Sequence, residues 1–156
     1  MHKYHFIVLI CISALSCTNN TQENRKDGFS TKTLTKEDSL FQEVMEGHDI
    51  GMARMIKISK YLKQIQSKLD SINKLSASKP DKNYQQSLID LQEDINYAEY
   101  GMNNWIDTFK QASAKENKEK RIQYLEGEKE KINKVKELIL GSLARADSMF
   151  NASNKK

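Results

Sequence analysis

Apolar residues recur at alternating steps of three and four through most of residues 35–150, and no stretch shows the strict alternation of a half-buried strand. That period commits the chain to helices. A first stripe runs Phe41, Met45, His48, Met52, Met55, Leu62, Ile65, Leu69 and Ile72. Thr35 with Asp38 supplies an N-cap arrangement ahead of it. The only proline, Pro80, sits in the breaker Ser76–Asp81 (SASKPD). A second stripe follows at Tyr84, Leu88, Leu91, Ile95, Ala98, Met102, Trp105 and Phe109. Ser113 with Glu116 reads as the capping box of a third helix, with stripe Ile122, Leu125, Ile132, Val135, Ile139, Leu143, Ala146 and Phe150. Short connections make neighbouring helices antiparallel, so the expected fold is an all-α, up-down-up three-helix bundle. One continuous helix through 113–121 is the alternative, because ASAKENKEKR holds no strong breaker.

A turn centred beside Pro80 fixes a register. It places Leu69 beside Leu88, Leu62 beside Ile95, Met55 beside Met102, Met52 beside Trp105 and His48 beside Phe109. A second turn centred at Lys115 places Leu125 beside Trp105 and Ile132 beside Ala98.

The start of the chain reads as an address. Residues 1–17 are MHKYHFIVLICISALSC: a short basic start, then an apolar run from Phe6 to Leu15. That run is too short to span a bilayer, which takes about 20 helical residues, and has the length of a signal-peptide core. The ending Ala14-Leu15-Ser16-Cys17 resembles a bacterial lipobox. The resemblance implies cleavage before Cys17 and acyl chains on its thiol and new amino group. Several chains together anchor stably where one would not. The expected organisation is a lipoprotein signal peptide over 1–16, lipidated Cys17 with a flexible polar tether over 17–34, the bundle over 35–151 and a frayed tail over 152–156. Thr18, where Asp would favour inner-membrane retention, points to the outer membrane of a bacterial envelope.

Composition narrows the function. Cys11 leaves with the leader and Cys17 takes lipid, so the domain has no disulfide. The formal charge of +4 falls to +3 once Lys3 is removed, too weak a field to indicate nucleic acid. The charged runs Lys115–Arg121 and Glu126–Lys131 read as solvated helix faces. No G-x-S-x-G, phosphate-cradling glycine loop, HExxH or cysteine nucleophile is present, so an enzyme is not expected.

One cluster invites chemistry. Met45, His48, Met52 and Met55 fall within an arc of about 80° on a helix turning about 100° per residue. The register brings Met102 and Trp105 to the same level. Thioethers are soft ligands that select Cu(I), imidazole completes such a site, and an indole face covers a cation. The candidate ligands are therefore His48, Met52, Met55, Met102 and Trp105, for Cu(I) or Ag(I). The competing reading is a Met- and Trp-filled core with no cofactor. The segments HDIGMARM (48–55) and MNNW (102–105) resemble small bacterial lipoproteins with an HDxxMxxM segment and a later MxxW, some labelled "viral A-type inclusion protein". That likeness runs from Glu43 to Leu143 and implies no activity. The expected function is thus a membrane-anchored envelope lipoprotein with an interaction or structural role and a protein partner.

Overall fold

The computed structural model describes residues 34–74 and 81–153, with side chains as far as residue 151. It is an all-α bundle of four helical segments: α1 (Lys36–Met52), α2 (Met55–Lys74), α3 (Lys82–Thr108) and α4 (Lys118–Ser153). No strand occurs among the described residues. The expected leader, Cys17, nearly all of the tether, the Pro80 turn and the last three residues of the tail lie outside the described residues.

α1, α3 and α4 each start where a side chain satisfies free N–H groups of the first turn. The Thr35 hydroxyl accepts the Asp38 N–H at 3.2 Å and the Asp38 carboxylate accepts the Thr35 N–H at 3.1 Å, completing a capping box. Asp81 accepts the N–H groups of Asn83 and Tyr84 at 3.0 and 3.1 Å. For α4 the cap is Asn117, whose side-chain oxygen accepts the Lys120 N–H at 3.0 Å, and not the expected Ser113. Ser113 belongs to the turn between α3 and α4, where its N–H donates to the Lys110 carbonyl at 2.9 Å. Ala114, at φ 56°, reverses the chain there, so α3 and α4 are separate helices.

The first helix of the expected bundle is interrupted. After Met52 the Arg54 N–H reaches back three residues to the Gly51 carbonyl at 2.9 Å, and the Arg54 guanidinium covers the Ile50 carbonyl at 3.1 Å. The Ile58 N–H then bonds the Arg54 carbonyl and the helix resumes as α2. This tight turn keeps α1 and α2 in phase. The buried residues Leu40, Val44, Gly47 and Gly51 of α1 continue directly into Ile58, Tyr61, Ile65 and Leu69 of α2.

α1 and α2 run parallel to α4, and α3 runs antiparallel to both, which gives the up-down-up order. Ion pairs trace the parallel pairing: Lys36 with Glu126 at 2.8 Å, Glu43 with Lys129, and Lys57 with Asp147 at 2.7 Å. The start of α1 and the end of α4 therefore lie at opposite ends of the bundle. Between the end of α2 and the start of α3, Asn73 meets Gln85 and Gln66 meets Gln92, one residue from the expected register. Beyond the interruption Gly51 meets Met102 and His48 meets Trp105, four residues from it. α1 thus tilts across α3 and packs chiefly on α4.

The core is continuous across all four segments. Leu88, Leu91, Ile95, Ala98, Met102 and Trp105 of α3 are buried, as are Leu125, Ile132, Ile139, Leu143, Ala146 and Phe150 of α4. These match the second and third stripes. The first stripe holds over α2, where Ile65 and Leu69 are buried, but is displaced by one residue over α1: Phe41, Met45 and His48 are half-buried and Met52 is exposed.

Candidate functional site

The end of the bundle where α1 begins is built from stacked rings. Leu125 and Val44 fill the core beside it. His48 lies 5.5 Å from the Trp105 ring centroid, tilted by 39°. Trp105 stacks on Phe109 at 4.6 Å, and Phe109 on Tyr124 at 6.2 Å. The Arg121 guanidinium closes the column over Tyr124 at 5.8 Å. Spacing makes this column: the C-cap residue Phe109 follows Trp105 by four at the end of α3, and its N–H bonds the Trp105 carbonyl, so the two rings stack. The Tyr124 hydroxyl is fixed by the Lys110 N–H, which donates to it at 2.7 Å.

The cluster inferred from the sequence is partly assembled. His48 and Trp105 meet. The His48 Nδ1 is engaged by the Asp49 carboxylate at 2.9 Å, which leaves Nε2 as its second nitrogen. The Trp105 Nε1 is buried without a hydrogen-bond partner among the described residues. Met102 is fully buried, and its methyl occupies the space that a Cβ on Gly51 would need. Met55 is half-buried against the core. Met52 is 40% exposed. Met45 is half-buried, three residues before His48 on α1. Cys17 lies outside the described residues. No group of three or more His, Cys, Asp or Glu side chains close enough to hold a metal ion occurs among them.

Several structural side chains escaped the sequence reading. Arg121, placed above on a solvated face, is 3% exposed. Its Nε donates to Glu37 at 3.1 Å and its Nη1 to the Ser113 carbonyl at 3.0 Å, tying the start of α1 to the α3–α4 turn. Glu128, in the second charged run, is also buried and accepts from Lys131 at 2.8 Å, which lifts the Lys131 amine above its ordinary pKa. At the opposite end the Tyr61 hydroxyl donates to Asp147, which Lys57 also contacts. Burial, then the Asp147 carboxylate, pushes the Tyr61 phenol up to about 12. The Lys57 and Tyr61 hydrogen bonds hold the Asp147 carboxyl below its usual value. A polar residue flanked by apolar stripe positions is the only signal for these groups, and it does not separate a buried ion pair from a solvated one.

A shallow groove runs over α4, where Tyr97 and Leu138 are 62% and 40% exposed beside Gly141. No helix among the described residues is long and apolar enough to cross a membrane. No family model, curated protein or solved structure matches this chain.

Proposed function

We propose that this protein is a lipid-anchored bundle of the bacterial cell envelope, attached through Cys17 and serving as an interaction or spacing module rather than a catalyst. The observation that carries the reading is the order of segments: a ten-residue apolar run, the lipobox-like Ala14–Cys17, a polar stretch, then a capped helix at Lys36. An acylated cysteine followed by a polar stretch and a rigid helical body suits presentation of a surface near a membrane. The exposed Tyr97 and Leu138 beside Gly141 supply apolar contact area for a protein partner. The test is metabolic labelling with an alkyne fatty acid in a bacterial host. The intact chain should take up label and sediment with outer membranes, and Cys17→Ser should lose both properties. Unlabelled wild-type chain would overturn the anchor.

A second reading is a Cu(I)- or Ag(I)-binding module, and the His48 geometry favours it. With Nδ1 held by Asp49, the ring is oriented from outside as in many metal-ligating histidines. Met45 and Met52 stand three before and four after it on the same helix, and Trp105 lies against the ring. Of the candidate ligands, Met52 is the sulfur already open to solvent, whereas Met102 and Met55 would have to leave core packing. Anaerobic addition of Cu(I) should quench the Trp105 emission at about one equivalent. Unchanged emission and no competition with a Cu(I) chelator would remove this reading.

A further inference from the structure

Charge is divided unequally between the two halves of the first helical arm. α1 carries five acidic residues and one lysine; α2 carries five lysines and one aspartate. Part of each set is used inside the molecule: Glu37 by Arg121, Glu43 by Lys129 and Lys57 by Asp147. Glu46 of α1 and Lys60, Lys63, Lys68 and Lys74 of α2 make no ion pair among the described residues, and Asp49 contacts only its neighbour His48. The remainder is therefore acid on one half and base on the other.

These charges share one face. Because α1 and α2 keep phase across the interruption, the residues opposite the core form a single outward row: Glu46, Asp49, Met52, Ala53, Ile56, Lys60, Lys63. Its centre is apolar and open. Ile56 is 87% exposed, more than any other large apolar side chain among the described residues, and Met52 is 40% exposed. Acid, apolar centre and base thus follow one another along a single face.

A sequence of that kind is complementary to its own reverse. We infer that the outer face of α1 and α2 is a self-association surface whose occupant is a second copy of this chain, packed antiparallel about a two-fold axis between Arg54 and Met55. Residues equidistant from that point then face each other: Ala53 meets Ile56 of the second copy, Asp49 meets Lys60, and Glu46 meets Lys63. Two-fold symmetry repeats every contact, as isologous interfaces require. A parallel pairing would set acid on acid and lysine on lysine. The inference does not depend on lipid at Cys17, since every group it uses belongs to the described bundle.

Sedimentation of the full chain in density-matched detergent tests it. Wild-type chain should dimerise reversibly, with affinity falling about tenfold or more between low and high ionic strength. Glu46→Lys with Asp49→Lys should give a monomer, as should Lys60→Glu with Lys63→Glu. An equimolar mixture of the two should restore a dimer, and the chain with all four reversals should dimerise alone. Ile56→Glu should weaken association with helicity unchanged. Wild-type chain that is monomeric at all concentrations, or a dimer indifferent to these reversals, overturns the inference. A monomeric chain that binds phosphatidylglycerol vesicles through Lys60 and Lys63 also overturns it, making the lysine row a membrane face. Fatty-acid labelling is unaffected in every case, so failure here is separable from failure of the anchor.

Discussion

Gly51 and Gly141 are both helical, yet a methyl group would act oppositely at the two positions. At Gly51 an added Cβ would lie 2.2 Å from the Met102 methyl and 3.3 Å from Ile139, inside the core. At Gly141 and Gly127 it would meet nothing within 4 Å. Gly51→Val should therefore cost roughly 1–3 kcal/mol by overpacking. Gly127→Ala and Gly141→Ala should each gain up to about 1 kcal/mol from helix propensity, all read from urea unfolding midpoints. Arg121 and Glu37 form an equally unequal pair. The Arg121 side chain is 4% exposed and that of Glu37 is 37% exposed. Removing Arg121 leaves a carboxylate free to turn to water, whereas removing Glu37 leaves a buried cation with one carbonyl and the Tyr124 ring but no counter-charge. Glu37→Leu should therefore destabilise more than Arg121→Met, with a loss of about 3 kcal/mol. A denaturation series in which the arginine variant is the weaker of the two would refute this ordering. Arg121 and Glu37 were illegible in the sequence, because a charged residue at a stripe edge looks solvated until its partner on another helix is placed.

Hydropathic spacing was enough to predict the buried stripes of α3 and α4, which are almost wholly Leu, Ile and Ala, with Met102 and Trp105 on α3 and Phe150 at the far end of α4. It misplaced the buried face of α1 by one residue. There the core-facing positions include Gly47 and Gly51, while the thioethers of Met45 and Met52 stand beside or outside the contact. The candidate cluster suffers from the same displacement: His48 reaches the buried Trp105 from beside the true contact, and Met52 faces outward. The interruption after Met52 had no breaker to announce it, since Ala53 and Arg54 are good helix formers. At the far end α2 and α4 are joined by Tyr61, Asp147 and Lys57, a link whose strength depends on pH. The folded pKa of Asp147 is lowered, so its contribution is complete above the ordinary carboxylate value and is lost as pH falls through the lowered one. The folded pKa of Tyr61 is raised, so its contribution is complete below the ordinary value of 10.0 and is lost as pH rises through about 12. Asp147→Ala should leave the buried hydroxyl unpaired and cost about 1–3 kcal/mol at neutral pH. Ultraviolet titration of tyrosinate should show the slowest-ionising phenol moving back toward its ordinary value in this variant. A titration curve identical to wild type would refute the link.

One core runs through all four segments, so the bundle should unfold as a unit. Emission from Trp105, at the α1 end, and helicity from the whole molecule should therefore report coincident denaturant transitions. Separate midpoints would mean that α1 detaches first at the interruption. The up-down-up order itself was readable from three stripes and two breaks. Which helices pack most intimately was not, because that depends on the tilt of α1 and on glycines that let it approach α4. An odd number of passes has a further result. α4 alone rises about 54 Å over its 36 residues, and the described bundle begins with α1 at one pole and finishes with α4 at the other. A probe attached at Ser153 would sit a full body length from one attached at Lys36.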